Sequence, residues 1–141
     1  MSQGPTALVV DDDEGLAQIV AAILRIEGFE VRIADNGAHG FADYFRNPTD
    51  WVVTDIQMPE LDGLEMMQCI RAINPGVKTV YMSGEVEKYQ EVLDREASKF
   101  AVRVLPKPFT RSSLVEKIAC DDSDRLNALP SYRSTRFTLN R

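Results

Sequence analysis

Five short apolar runs alternate along this chain with five stretches whose apolar residues recur at helical spacing. No other feature limits the fold as tightly. The runs occupy residues 7–10, 29–33, 51–54, 78–82 and 101–105, each ending in polar or turn residues. Continuous apolar strands separated by helices call for parallel pairing, because parallel neighbours need a crossover and the crossovers cover both sheet faces. The expected fold class is α/β: a doubly wound (βα)5 sheet of five parallel strands.

The helical stretches carry recognisable ends. Leu16, Ile19, Val20, Ile23 and Leu24 form one apolar face, closed by Gly28. A weaker helix through Phe41, Ala42 and Phe45 follows the Asn36-Gly37 turn and stops at Asn47-Pro48. Leu64, Met67, Ile70 and Ile73 mark the third helix, opened at Asp62-Gly63 and ended by Asn74-Pro75-Gly76. Val86, Tyr89, Val92 and Leu93 mark the fourth, and Leu114, Val115 and Ile118 the fifth, capped by Thr110. Apolar periodicity fails near Asp121, which divides the chain into a domain over residues 1–120 and a tail over 121–141. The tail, with Arg125, Arg133, Arg136 and Arg141, is expected to be a flexible or partner-docking segment.

Composition narrows the class. A chain of 141 residues suits one domain with a real core, and 44% hydrophobic with 27% charged residues is ordinary for a soluble globular protein. A net charge of −6 argues against nucleic-acid binding through a broad basic surface. Cys69 and Cys120 lack metal-ligand or redox spacing, and no apolar run is long enough for a bilayer. A cytoplasmic location without membrane or nucleic-acid partners is the expectation.

In a parallel sheet every strand's carboxyl end lies on one edge, where open α/β sheets place their ligands. That edge collects Asp11 and Asp12 after strand one, Asp55 after strand three, Ser83 after strand four and Lys107 after strand five. Each residue alone has a plain structural use, as a helix cap or a surface charge. Their coincidence on one edge is what points to chemistry. Crowded carboxylates either raise their pKa values or hold a cation, and an all-oxygen donor set favours Mg²⁺. Beside such a cation Asp55 is a nucleophile for in-line phosphoryl transfer, with Lys107 and Ser83 placed for the phosphoryl oxygens. His39, the only histidine, reads as an exposed helical residue away from this edge.

The motifs resemble those of the response-regulator receiver domain, the phospho-accepting module of two-component signalling. The matching residues are Val9-Val-Asp-Asp-Asp13, Asp55-Ile-Gln-Met-Pro59 with Asp62-Gly63, Met82-Ser-Gly84 and Leu105-Pro-Lys-Pro-Phe109. The resemblance spans about residues 6 to 119. It implies the flavodoxin-like strand order 2-1-3-4-5 and phosphoryl acceptance by Asp55 from a sensor histidine kinase or histidine phosphotransfer protein. It further implies direct Mg²⁺ ligation by Asp12, Asp55 and the backbone carbonyl of Gln57, with Asp11 acting mainly through water. Ser83 and Lys107 would bind the phosphoryl group and move toward it, shifting a surface read by a downstream protein. With no output domain in view, the chain resembles the single-domain type.

Val104 departs from the family pattern, which usually has Tyr or Phe three residues before the strand-five lysine, and Pro106 stiffens the approach to Lys107. Tyr81 and Phe100 are the nearest aromatic substitutes. Two other readings stand beside the receiver: a small phosphohydrolase of the haloacid-dehalogenase type, using the Asp-x-Asp within Asp11-Asp12-Asp13, and a receiver-like binding module that is never phosphorylated.

Overall fold

The computed structural model describes residues 4–127, and of residues 120–127 only the helical backbone. The anticipated tail beyond residue 127 lies outside the described residues. Strands β1 (Thr6–Val10), β2 (Glu30–Ala34), β3 (Trp51–Asp55), β4 (Lys78–Ser83) and β5 (Val102–Pro106) form one parallel sheet in the order β2-β1-β3-β4-β5. Helices α1 (Glu14–Ile26), α2 (Gly37–Arg46), α3 (Gly63–Ile73), α4 (Gln90–Ala97) and α5 (Arg111–Asn127) connect and follow the strands. A short 3₁₀ turn, Val86–Tyr89, leads into α4. Backbone helix α5 continues past the point near Asp121 where its apolar period ends. Among the described residues, no helix is long and apolar enough to cross a membrane.

Strand alternation sorts the core into two layers. Leu8, Val10, Val52 and Tyr81 face one side with Met66, Met67, Ile70 and Leu93; Ala7, Val9, Val53, Val80, Met82 and Leu105 face the other with Val20, Leu24 and Leu114. Burying one such side chain is worth about 1.5–3 kcal/mol, so each strand is pinned in register by both faces. Pro106 is tolerated because β5 lies at the sheet edge, where a missing N–H breaks no ladder on its outer side.

The helix faces differ from the expected ones in detail. On α1 the inward residues are Ala17, Val20, Ala21 and Leu24, while Ile19 is 57% exposed. On α2 they are Gly37, Gly40 and Tyr44, and Phe45 is 65% exposed, stacked on Phe41. On α3 Met66 and Arg71 are buried and Ile73 is not. On α1 and α2 small residues share the inward face with one or two large ones, so Ile19 and Phe45 fall on the flanks, whereas α3 turns large side chains inward along its length.

Candidate functional site

The carboxyl edge is built by rigid junctions. Val10 ends β1, and the amide of Asp11 still donates to the Ala34 carbonyl of β2 (3.2 Å), which holds Asp11 at the edge. Its Oδ1 accepts from the Asp13 amide (2.9 Å), and Asp13 in turn caps α1 by accepting from the Leu16 amide (3.1 Å). At the end of β3, the Ile56 amide donates to the Met82 carbonyl (3.0 Å) and the Gly63 amide to the Ile56 carbonyl (2.8 Å). Asp62 and Glu65 form a reciprocal capping box that fixes the start of α3. Gly63 has no room for a side chain unless the backbone shifts, because a Cβ there would overlap the backbone carbonyl of Asp55. The 58–63 loop is thereby clamped against the strand that presents Asp55.

Asp11, Asp12 and Asp55 each offer a carboxylate oxygen within 4.8 Å of the others. Asp11 and Asp55 are buried and Asp12 is exposed, so the cluster opens toward solvent on one side. Lys107 Nζ lies 3.1 Å from Asp55 Oδ1 and 3.8 Å from Asp11 Oδ2. The Lys107 amide is held by the Ser83 carbonyl (2.8 Å), which carries β5's order one residue past the strand. Ser83 accepts from the Glu85 amide (2.9 Å) through its Oγ, leaving its own proton available to an acceptor, and shares a cleft with Lys107. Gln57 stands at the rim, its side-chain amide donating to Glu85 (3.4 Å).

Burial dominates the electrostatics. It pushes the Asp11 carboxyl up to about 6, helped by the charge of Asp55 and opposed by the Asp13 amide and Lys107. Burial also raises Asp55, against the counteracting charge and hydrogen bond of Lys107. Two ionised carboxylates no more than 4.8 Å apart repel by about 3.5 kcal/mol or more at an effective dielectric of 20. A single lysine does not neutralise three of them.

A cation fits this cluster. Asp11 Oδ2 is buried without a hydrogen-bond partner, and Lys107 at 3.8 Å is too far to donate to it. The donors are all oxygen, the set that suits a hard divalent ion such as Mg²⁺, and the exposed side leaves room for the waters that ion keeps.

The structure thus places Asp11, Asp12, Asp55 and Lys107 together, with Ser83 and Gln57 on the same edge. His39 is not remote, as its position in a weak helix had suggested. Every crossover helix of a parallel sheet starts at the carboxyl edge, so the first turn of α2 returns there. His39 Nδ1 lies 2.7 Å from Asp35 Oδ1, and both residues line a groove with Asp11 and Asp12. A set overlooked in the sequence lies below the edge: Arg71 of α3, Glu96 of α4 and Tyr81 of β4, all buried and mutually bonded.

Residues 7–119 match the family model described as "Response regulator receiver domain". The transcriptional regulatory protein PrrA of Mycobacterium tuberculosis is 35% identical over 114 residues, covering 81% of this chain and 48% of the relative. GlrR of Escherichia coli, another transcriptional regulatory protein, is 30% identical over 119 residues, covering 84% of this chain and 26% of its own length. The chain therefore spans about half or less of the length of these curated relatives. Among solved structures, a CheY-like receiver domain protein from Methanospirillum hungatei superposes with a TM-score of 0.77 at 25% identity, covering 86% of this chain and 96% of that one. Chemotaxis protein CheY4 of Vibrio cholerae gives 0.73 at 26% identity, covering 83% and 98%. With the sheet order, the edge cluster and the matched residues in agreement, the chain belongs to the response regulator receiver domain family.

Proposed function

We propose that Asp55 accepts a phosphoryl group from a phosphohistidine of a sensor kinase or phosphotransfer protein, and that the modified edge alters a protein-interaction surface. The observation carrying this reading is the convergence of Asp11, Asp12 and Asp55 within 4.8 Å, with Lys107 3.1 Å from Asp55. In the transfer, a carboxylate oxygen of Asp55 attacks phosphorus in line. The new P–O bond forms as the P–N bond breaks, and the electron pair returns to the partner's imidazole. Lys107 favours the ionised form of Asp55 against its burial before transfer and faces the phosphoryl oxygens afterwards. The Ser83 hydroxyl donates to one of those oxygens with the proton its Glu85 contact leaves unused.

Asp11, Asp12 and Asp55 would hold Mg²⁺, joined, by the family resemblance, by the backbone carbonyl of Gln57. When bound, the ion supplies positive charge that offsets both the carboxylate repulsion and the charge of the transferring group. The haloacid-dehalogenase reading needs Asp13 as a free acid two residues beyond a nucleophilic Asp11. Here Asp13 is committed to capping α1, which favours the receiver reading. Incubation with Mg²⁺ and acetyl phosphate, followed by intact-protein mass spectrometry, tests the proposal. One phosphoryl group per chain, absent without Mg²⁺ and absent in Asp55→Asn, is the expected result. An unmodified wild type would leave a receiver-like binding module, and sustained phosphoester turnover would return the hydrolase reading.

A further inference from the structure

We propose that the buried Arg71–Glu96–Tyr81 network couples the Asp55 edge to helix α4, with the Tyr81 hydroxyl as the connecting group. This rests on the reading of Asp55 as phosphoryl acceptor and specifies how its state reaches the surface. Arg71 Nη1 donates to Glu96 Oε1 (3.0 Å), and Nη2 donates to Thr79 Oγ1 (3.1 Å) and to the Tyr81 hydroxyl oxygen (3.4 Å). The Tyr81 hydroxyl donates to the same Glu96 oxygen at 2.6 Å. The Phe100 ring covers the guanidinium, 4.7 Å from centroid to Cζ. Burial holds the Tyr81 hydroxyl in its protonated form, so the donation to Glu96 is fixed in direction.

Stability alone is a poor reason for this arrangement. A buried ion pair roughly breaks even against apolar residues of similar volume, whereas stripping one charged member of its partner is strongly destabilising, so the pair fixes geometry. Arg71 Nε is buried with no partner, so the network carries an unused donor and its present arrangement leaves one group unsatisfied.

Placement ties the network to the site. Alternation along β4 puts Thr79, Tyr81 and Ser83 on one sheet face, so Tyr81 lies directly behind the phosphoryl-facing hydroxyl. Apart from the path through Arg71 of α3, two links join helix α4 to β4. One link is the 84–89 segment, whose Glu85 amide is bonded to Ser83 Oγ; the other is the Tyr81–Glu96 bond. Movement of Ser83 toward Asp55 either drags Glu85 or breaks that bond, and in both cases the first link changes. The second link then decides whether α4 follows the strand or stays with α3. Opposite Tyr81 on β5 stands Val104, which has no polar group to offer the hydroxyl, so Glu96 and Arg71 are its anchors.

The test is amide hydrogen exchange on the full chain with Mg²⁺, with and without beryllofluoride as the phosphoryl mimic, in wild type and Tyr81→Phe. The substitution keeps the ring and removes only the hydroxyl. In wild type, beryllofluoride should change exchange in residues 84–89 and change α4 exchange by about fivefold or more, the lower end for coupled sites. In Tyr81→Phe the 84–89 change should persist while the α4 ratio falls to near one. A merely structural role would alter α4 exchange equally with and without the mimic and leave the ratio unchanged. Should Tyr81→Phe fail to fold, the double variant Arg71→Met with Glu96→Leu, which removes both partners of the hydroxyl and leaves no buried charge unpaired, decides in its place. A full α4 response in the deciding variant, or a wild type responding at 84–89 but not at α4, overturns the coupling alone. A wild type responding nowhere overturns the phosphoryl-acceptor reading and the coupling with it.

Discussion

Lys107 and Asp55 meet at 3.1 Å although they come from strands separated by β4, and that contact opposes the effect of burial on the Asp55 carboxyl. Burial drives Asp55 toward protonation and the lysine opposes it. Removing a neighbouring cation raises a carboxylate pKa, so Lys107→Ala should shift the pH dependence of phosphoryl uptake by Asp55 toward higher pH. Uptake from acetyl phosphate, measured by intact mass across the acid limb, checks this. A limb that stays in place, or moves toward lower pH, would show that the lysine does not control ionisation of Asp55.

A second expectation concerns stability without metal. The Asp11 carboxyl titrates near 6 in the fold and near 3.8 in an unfolded chain. Between those values the native state binds a proton that the unfolded state does not, so stability falls as pH rises through the window. Above about 6 both states are deprotonated and the loss, on the order of 3 kcal/mol from end to end of the window, is complete. Chemical denaturation in chelator should therefore show the metal-free protein more stable near pH 4.5 than near pH 7 (about 2 kcal/mol before other groups contribute). Asp11→Asn, which keeps the Oδ1 acceptor for the Asp13 amide, should flatten that slope and stabilise the metal-free fold at neutral pH. Asp12 is exposed, so its substitution should affect Mg²⁺ binding far more than it affects metal-free stability. Equal slopes in wild type and Asp11→Asn would remove the crowded-carboxylate account.

Gly63→Ala probes the clamp behind Asp55. The added Cβ would overlap the Asp55 carbonyl, so the strand end or the start of α3 must move. An overpacked contact of this kind costs about 1–3 kcal/mol, and a small misplacement of a nucleophile can cost a hundredfold in rate. The variant should stay folded and lose phosphoryl uptake rate by about tenfold or more. Wild-type rates, with only a stability loss, would mean that the clamp serves folding and not the position of Asp55.

The rim supplies a fourth expectation. Gln57 and Glu85 meet at 3.4 Å on the edge that holds Asp55, two residues past Asp55 and Ser83, where they would flank a water approaching the acyl phosphate. Gln57→Ala or Glu85→Ala should leave phosphorylation intact and change the decay rate of the acyl phosphate by several-fold or more. Unchanged decay in both variants would place the attacking water elsewhere.

The sheet and its edge were legible because they follow from alternation and from strand ends, which are local properties. Asp11, Asp55, Ser83 and Lys107 each sit where a strand stops, so topology alone brings them to one edge. The helix faces were less legible, because Ile19, Phe45 and Ile73 fit an apolar period as well as the small residues Ala17, Ala21 and Gly40 that pack inward. Arg71 left a signal that went unused. It stands four residues after Met67 on the buried face of α3, and a charge at such a position requires a partner. Its partners Tyr81 and Glu96 are distant in sequence, and no local pattern joins them. His39 comes near the edge because only two residues separate β2 from α2, a consequence of sheet topology that the apolar pattern around His39 does not carry.

Position 104 offers the last expectation. Val104 lies directly across from Tyr81 in the β4–β5 register, on the same layer and only partly buried. Its β-branched side chain has little rotamer freedom, so it cannot exchange between an inward and an outward position as a longer ring can. A tyrosine in its place must either lie outward over the sheet edge or press against the Tyr81 ring, whose hydroxyl is already bonded to Glu96. The inward choice overpacks the layer at a cost of about 1–3 kcal/mol, while the outward choice costs little. Val104→Tyr should therefore accept phosphoryl groups as wild type does and hold the new ring outward in the unmodified state, with stability within about 1 kcal/mol of wild type. Chemical denaturation gives the stability, and fluorescence quenching of the introduced tyrosine against a Val104→Phe control gives its exposure. A loss of several kcal/mol with a shielded ring would show that space beside Tyr81 is available only at the expense of the Glu96 bond, and that the ring at 104 competes with the network instead of standing apart from it.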